Sequence, residues 1–170
     1  MPIAFSDPDP TWPAEAERRM AELRPLFPTI EHVGSTAIPG LAAKPVIDLM
    51  ASTPDLSAVP DTALTALGYV REETGMSNRL FYARDTNGVR THHLHIVPTD
   101  TWATRNERLL RDHLLANPDA AAEYGTLKRH LAATESDGLA YTKGKTALIQ
   151  RLIDHERAAR GLPVSDVWED

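Results

Sequence analysis

One turn and three side chains in this sequence have the types and spacing for phosphate chemistry. The turn is Gly34-Ser35-Thr36, within "EHVGSTAIPG". The side chains are Asp48, within "VIDLMA", and His93 and His95, within "RTHHLHIV". A Gly-Ser-Thr turn that leaves a strand offers a flexible backbone, two hydroxyls and N–H groups that can meet a phosphate, above all at a helix start. As a bare tripeptide it is also an ordinary turn. A carboxylate and two imidazoles can ligate a divalent ion or hold a general base. A histidine pair hydrogen-bonded at the end of a sheet reads the same way. Mg²⁺ takes one or two protein carboxylates plus phosphate oxygens and water, so Asp48 alone is a sparse site.

Strand periodicity decides which of these residues can meet. Ile47, Leu49 and Ala51 form a uniformly apolar face, expected beneath packed helices, so Asp48 and Met50 point the other way, toward a cleft or solvent. His93 and His95 project together, whereas His92 shares a face with Leu94 and Ile96 and reads as structural. "NRLFYARD" and "VRTHHLHIV" flank Asn87-Gly88 and predict a β-hairpin. An unbroken short hairpin pairs even-numbered residues with odd ones, which would set Tyr82 and Arg84 on the face of Thr91, His93 and His95. Arg84 is then a candidate for binding phosphate, in a stretch from Val70 to Arg90 that carries four arginines. Tyr141, Lys145, Leu148 and Leu152 share one helical stripe, beside which Lys145 either snorkels to water or offers a cation to a phosphate. Lys143 lies off the stripe and reads as solvated.

The remaining segments supply the frame. Trp12, Ala16, Met20, Leu23 and Phe27 recur at helical spacing, with Pro13 in the first turn and Pro25 at the end. "TIEHV" and "KPVIDLMAS" read as strands. Residues 61–67 read as a helix closed by Gly68, with the strand "YVREE" after it. Beyond Pro98 three helical stripes follow. They are Trp102, Leu109, His113 and Leu114; Ala120, Tyr124, Leu127 and Leu131, opened by Asn117-Pro118; and Leu148, Leu152 and Ile153. A mixed sheet followed by a helical C-terminal half predicts an α+β fold.

A length of 170 residues suits one domain with a real core. With 42% hydrophobic and 25% charged residues, the composition is that of a soluble globular protein. The absence of cysteine excludes disulfides, thiolate zinc sites and a cysteine nucleophile. No secretory pattern and no run of membrane-spanning length is seen, so the expected location is cytoplasmic. A net charge of −6 argues against a nucleic-acid coat, while leaving room for a local basic pocket.

Taken together, "DPTWP", "EHVGSTAIPGLAAKPVIDLM", "THHLHIV", "RDHL", "NPDAAAEYGTLK" and "YTKGK" resemble the GrpB family over nearly the whole chain. These are bacterial proteins similar to the nucleotidyltransferase fold and sometimes joined to a dephospho-CoA kinase domain. The resemblance implies a mixed sheet with a Gly-Ser turn and an acid on the next strand. In active nucleotidyltransferases that turn holds the triphosphate. An Asp-x-Asp or Asp-x-Glu pair, with a third acid on a later strand, binds two metal ions. Here Gly34 and Ser35 match the turn and Asp48 the first acid. Met50 stands where the second acid would be, and the later strand offers His93 or His95. A two-metal clamp needs closely spaced cations that Met50 cannot bridge. What is left is one Mg²⁺ or Mn²⁺ on Asp48, His93 and His95, or a metal-free base. Three functions are open on this footing. The first is transfer of a nucleotidyl or related phosphoryl group from a nucleotide to a small acceptor. The second is non-catalytic binding of a nucleotide or CoA-like ligand, and the third is hydrolysis at a histidine-held metal. No nucleic-acid or membrane partner is expected, and the sequence does not specify the oligomeric state.

Overall fold

Apolar residues every three to four positions wind α1 (Trp12–Leu23), which buries Trp12, Ala16, Met20 and Leu23. Pro13 sits in its first turn and the helix stops before Pro25, as the missing N–H and fixed φ of proline require. Phe27 is buried, but from the turn beyond the helix. The computed structural model describes residues 4–167.

Five strands follow: β1 (Ile30–Val33), β2 (Ile47–Thr53), β3 (Tyr69–Glu72), β4 (Leu80–Thr86) and β5 (Val89–Pro98). They make one mixed sheet in the order β1-β2-β5-β4-β3. β1 runs antiparallel to β2, β2 parallel to β5, and β5, β4 and β3 are mutually antiparallel. Ile47, Leu49 and Ala51 of β2 and His92, Leu94 and Ile96 of β5 form a sealed face, and α1 packs against β1 and β2. Burying a leucine or isoleucine completely contributes about 1.5–3 kcal/mol, so this face anchors the sheet. The short α2 (Asp61–Ala66) packs beside β3, and the Tyr82 hydroxyl donates to its first residue, Asp61.

The β4–β5 hairpin turns at Asn87 and Gly88, both at positive φ (54° and 78°), as a two-residue turn matched to strand twist requires. Thr86 pairs with Val89 and Asp85 with Arg90. The register then shifts, so that Arg84 faces His92 and Thr91 becomes an extra residue. One inserted residue reverses the parity of everything beyond it. Tyr82 and Arg84 therefore lie on the face of His92, Leu94 and Ile96, not on that of His93 and His95 as an unbroken hairpin predicts. Phe81 and Ala83 take the expected places, opposite His95 and His93.

The C-terminal helices are α3 (Asn106–Ala116), α4 (Pro118–Thr134) and α5 (Gly138–Ala159). Leu114, Tyr124, Leu148, Ile149, Leu152 and Ile153 close a core with Ile38 and Leu41 of the β1–β2 connection. Gly144 makes the α4–α5 approach possible, since a Cβ there would lie 2.5 Å from Leu131 Cδ2. The buried Arg157 guanidinium donates to the carbonyls of Pro163 and Thr104 and to Asn106 Oδ1. Trp102 does not join the α3 stripe. It lies in the 3-10 turn Thr99–Thr104 and covers Val33, Met50 and Val97.

Contacts divide the chain into two compact units. Thr11–Gly34 and Val46–Ala103 hold the sheet with α1 and α2. Ser35–Pro45, residues 104–167 and residues 4–10 hold α3 to α5. Among the described residues, no helix is long and apolar enough to cross a membrane.

Candidate functional site

The parallel β2–β5 register pairs Asp48 with His93 and Met50 with His95, which brings the carboxylate and both imidazoles onto one face of the sheet unit. His93 Nδ1 lies 3.1 Å from Asp48 Oδ1, and His95 Nε2 faces the same oxygen at 3.8 Å. Phe81, from β4, sets its ring against both imidazoles, with centroids 5.0 and 5.1 Å away in edge-on geometry. The cluster is half-buried: Asp48 keeps 30% of its side chain exposed, His93 29% and His95 18%.

The outer ring nitrogens meet two arginines that sequence reasoning noted only as part of a basic stretch. Arg79 Nη1 approaches His95 Nδ1 at 3.3 Å, and Arg90 Nη1 approaches His93 Nε2 at 3.4 Å. A guanidinium can only donate, so each of those nitrogens presents a lone pair, and each proton sits on the nitrogen that faces Asp48. Arg79 is itself buried, while Arg90 is shared with Glu72 and Asp85. Loss of water around the Asp48 carboxylate raises its pKa. The hydrogen bonds that His93 and His95 give it more than reverse that and hold it well below the usual carboxylate range.

Gly34, the first residue of the Gly-Ser-Thr turn, lies against this carboxylate. Gly34 ends β1 at φ +77°, and a Cβ added there would lie 2.6 Å from Asp48 Oδ2. Glycine is thus required twice, by backbone conformation and by the close approach of the acid. The chain continues into a single 3-10 turn, Ser35–Ala37, in which Thr36 is buried and Ser35 half-buried.

Other expected residues fall elsewhere. Arg84 donates to the Leu67 carbonyl and packs over Gly68, on the sealed side of the sheet, where the bulge has turned it. Lys145 belongs to the helical unit, its Nζ 4.7 Å from the centre of the Tyr141 ring. His92 is buried between Thr91 and Glu15, 2.8 and 3.1 Å away. Met50 is fully buried under Trp102. The place of a second metal acid is therefore filled with hydrocarbon. Among the described residues, no group of three or more His, Cys, Asp or Glu is arranged to hold a metal ion. Shared ligation by Asp48, His93 and His95 is not prearranged, because the imidazole lone pairs point at arginines and not at a common centre.

A family model described as "GrpB protein" matches residues 2–155. The UPF0157 protein YqkA of Bacillus subtilis is 37% identical over 80% of the chain, which spans only 40% of that relative's length. A UPF0157 protein of Pseudomonas aeruginosa is also 37% identical, over 92% of the chain and 68% of its own length. A protein named dephospho-CoA kinase from Mycolicibacterium paratuberculosis is 32% identical over 81% of the chain and 41% of its own length. Among solved structures, conserved protein GrpB from Enterococcus faecalis superposes with a TM-score of 0.83 at 29% identity, over 92% of this chain and 99% of that one. Cid1 in complex with its short product ApU superposes with a TM-score of 0.51 at 15% identity, over 76% of this chain and 43% of that one. The GLD-2/RNP-8 complex gives 0.50 at 16% identity, over 95% and 64%. At such identities the last two show the fold alone, which is nucleotidyltransferase-like.

Proposed function

Because the chain belongs to the GrpB family, and its sheet carries one acid against a Gly-Ser turn, we propose that it transfers a nucleotidyl or related phosphoryl group from a nucleoside triphosphate to a small-molecule acceptor. The observation that carries this reading is the contact of Asp48 with Gly34, with both histidines gathered on the same carboxylate. Gly34, Ser35 and Thr36 take phosphate oxygens. Asp48 orients His93 by accepting its Nδ1 proton, which leaves Nε2 as the base. Arg90, half-exposed and already shared with two acids, gives up its contact there. The acceptor oxygen bonds to the α-phosphorus as the bond from that phosphorus to pyrophosphate breaks. The acceptor's proton passes to His93 Nε2, and pyrophosphate leaves with the electron pair. Mg²⁺ or Mn²⁺, arriving with the nucleotide, would neutralise phosphate charge with Asp48 as its protein ligand. His93 and His95 then hold the carboxylate and not the ion.

The test is calorimetric titration of the protein with ATP, GTP and CTP, with and without metal, beside an assay of pyrophosphate release across a panel of small acceptors. Native protein is expected to bind one nucleotide and release pyrophosphate. Asp48→Asn should lower turnover by about a thousandfold. If no nucleotide binds, or if Asp48→Asn turns over like the native protein, the reading is lost.

A second reading is supported by Met50, whose burial beneath Trp102 removes the second acid. In it the same face binds a nucleotide or CoA-like ligand without turnover, and metal makes no difference to the affinity. Pyrophosphate release that disappears in His93→Gln would end that alternative.

A further inference from the structure

Within the helical unit, α3, α4 and the β1–β2 connection meet without closing on one another. Between them lies a cavity of about 470 Å³, open on one side, a volume in the range of small-molecule sites. Its floor is Ile38, Leu41, Ala42 and Leu114, all buried, and three of these belong to the core of the unit. The α4 wall is made low by Ala121, Ala122 and Gly125. A Cβ on Gly125 would lie 3.0 Å from Leu41 Cδ1, so glycine there lets the floor come up against the helix. Gly40 holds φ +77° at the other wall, and a Cβ on it would meet nothing within 4 Å, so the mouth is unobstructed on that side. Leu115 stands at the rim with 50% exposure. Apolar side chains left exposed along a cleft mark binding grooves.

The shape and the charge of this groove select its occupant. Pro118 and Arg129 both line it from α4, and their eleven-residue separation along a helix is roughly 16 Å. Spread over that length, the cavity is roughly 6 Å across, which admits one extended hydrocarbon chain and not a helix of about 10–12 Å. Among the described residues that line it, Arg129 alone is charged. Its Nη2 donates to Asp7 Oδ1 at 2.9 Å, and its guanidinium lies 5.8 Å from the centre of the Phe5 ring. Among the described residues Nε and Nη1 meet no acceptor, so the guanidinium has donors to spare. Both members of the Asp7 pair are exposed, and such a pair yields readily. One planar guanidinium, with Asp7 offsetting part of its charge, suits a single carboxylate better than a multiply charged phosphate.

We propose that this groove binds a small aliphatic carboxylate, its chain extended along α4 over Ile38, Leu41 and Leu114 and its carboxylate on Arg129. The site goes beyond the transferase reading, since it needs neither Asp48 nor a nucleotide. The probe is octanoate, titrated calorimetrically into the full chain, with octan-1-ol and acetate in parallel arms. Octanoate should bind at one site with a dissociation constant below about 1 mM and raise the melting temperature. Octanol keeps the chain and loses the charge, and acetate keeps the charge and loses the chain, so each should bind about tenfold more weakly or worse. Ala122→Trp, a change at an exposed position, fills the groove and should weaken octanoate about tenfold or more. Arg129→Gln, also exposed, should weaken octanoate about fivefold or more and leave octanol within twofold of native. Arg151→Gln, on α5 and outside the groove, should leave octanoate within twofold. Melting without ligand reports whether each variant is folded. The proposal is overturned if octanoate does not bind, if acetate or octanol binds as tightly, if folded Ala122→Trp or Arg129→Gln binds octanoate as the native protein does, or if Arg151→Gln weakens it as much as Arg129→Gln.

Discussion

β5 carries three histidines in four residues, and its two faces put them to opposite uses. On the sealed face His92 is buried, with Thr91 on one ring nitrogen and Glu15 on the other. On the open face His93 and His95 keep part of their surface in water, share one carboxylate, and reach an arginine on the far side of each ring. One residue of displacement along a strand separates a sealed imidazole from a half-buried one that faces a carboxylate. The residue type decides little here; the neighbours from α1, β2 and β4 decide the rest.

Acid provides the largest test of that contrast. Burial, with the charges of Arg19 and Arg84 adding to it, pushes the His92 pKa from its ordinary 6.5 down to about 4, and this outweighs the opposing charge of Glu22. The unfolded chain then binds a proton that the folded one refuses. Stability is fully present above pH 6.5 and falls as the pH drops toward 4, by up to about 3 kcal/mol. Asp48 shifts in the opposite sense, so its contribution is intact above its ordinary value near 3.8 and is lost only at lower pH. The two faces therefore fail in different pH windows. Urea unfolding at half-unit steps should show the first loss between 6.5 and 4, and His92→Leu should flatten it there. A slope unchanged in that variant would break the distinction between the faces.

A smaller effect tests the link between the open face and the turn. Gly34 and Gly40 share φ +77°, but a Cβ on Gly34 would meet Asp48 Oδ2 at 2.6 Å, and a Cβ on Gly40 would meet nothing within 4 Å. Alanine at either position bears the left-handed backbone cost of about 1 kcal/mol. Gly34→Ala should lose about 2 kcal/mol, because the carboxylate must also move off its histidine. Gly40→Ala should lose about half of that. Equal losses in the two variants, measured by denaturant unfolding, would detach the turn from Asp48.

Much of this arrangement was legible in the residues. Alternation along "VIDLMA" and "THHLHIV" sorted the site face from the sealed one, and Asn87-Gly88 announced the hairpin that β4 and β5 form. The bulge at Thr91 left no such mark. A local register shift arises from how two strands twist against each other, and it carried Arg84 to the wrong side of any sequence-based reading. Phe81, which touches both imidazoles, followed from the same shift. Arg79 and Arg90 belonged to a basic stretch visible in the sequence. That they cap His95 and His93 depends on a tertiary pairing between β4 and β5 that composition does not encode. Met50 was conspicuous as a missing acid, but its cover, Trp102, read as part of the following helix.

The finest test concerns where one proton sits. His92 and His93 are adjacent in the chain, and their partners demand opposite tautomers. Glu15 accepts from His92 Nε2, so the His92 proton belongs on Nε2, with Nδ1 toward the Thr91 hydroxyl. Arg90 donates to His93 Nε2 and Asp48 accepts from Nδ1, so the His93 proton belongs on Nδ1. Long-range nitrogen-detected NMR of the rings at neutral pH should show this reversal directly. Arg90→Met removes one of the two restraints on His93. A population with its proton on Nε2 should then appear, held to a minority by Asp48, while His92 is unaffected. The variant should lose no more than about 1 kcal/mol of stability, because the pairs of Arg90 with Glu72 and Asp85 are partly exposed. A native His93 with its proton already on Nε2 would mean that Arg90 does not hold the ring. Asp48 would then have no imidazole N–H from His93, and the base assigned to the open face would be pointing the wrong way.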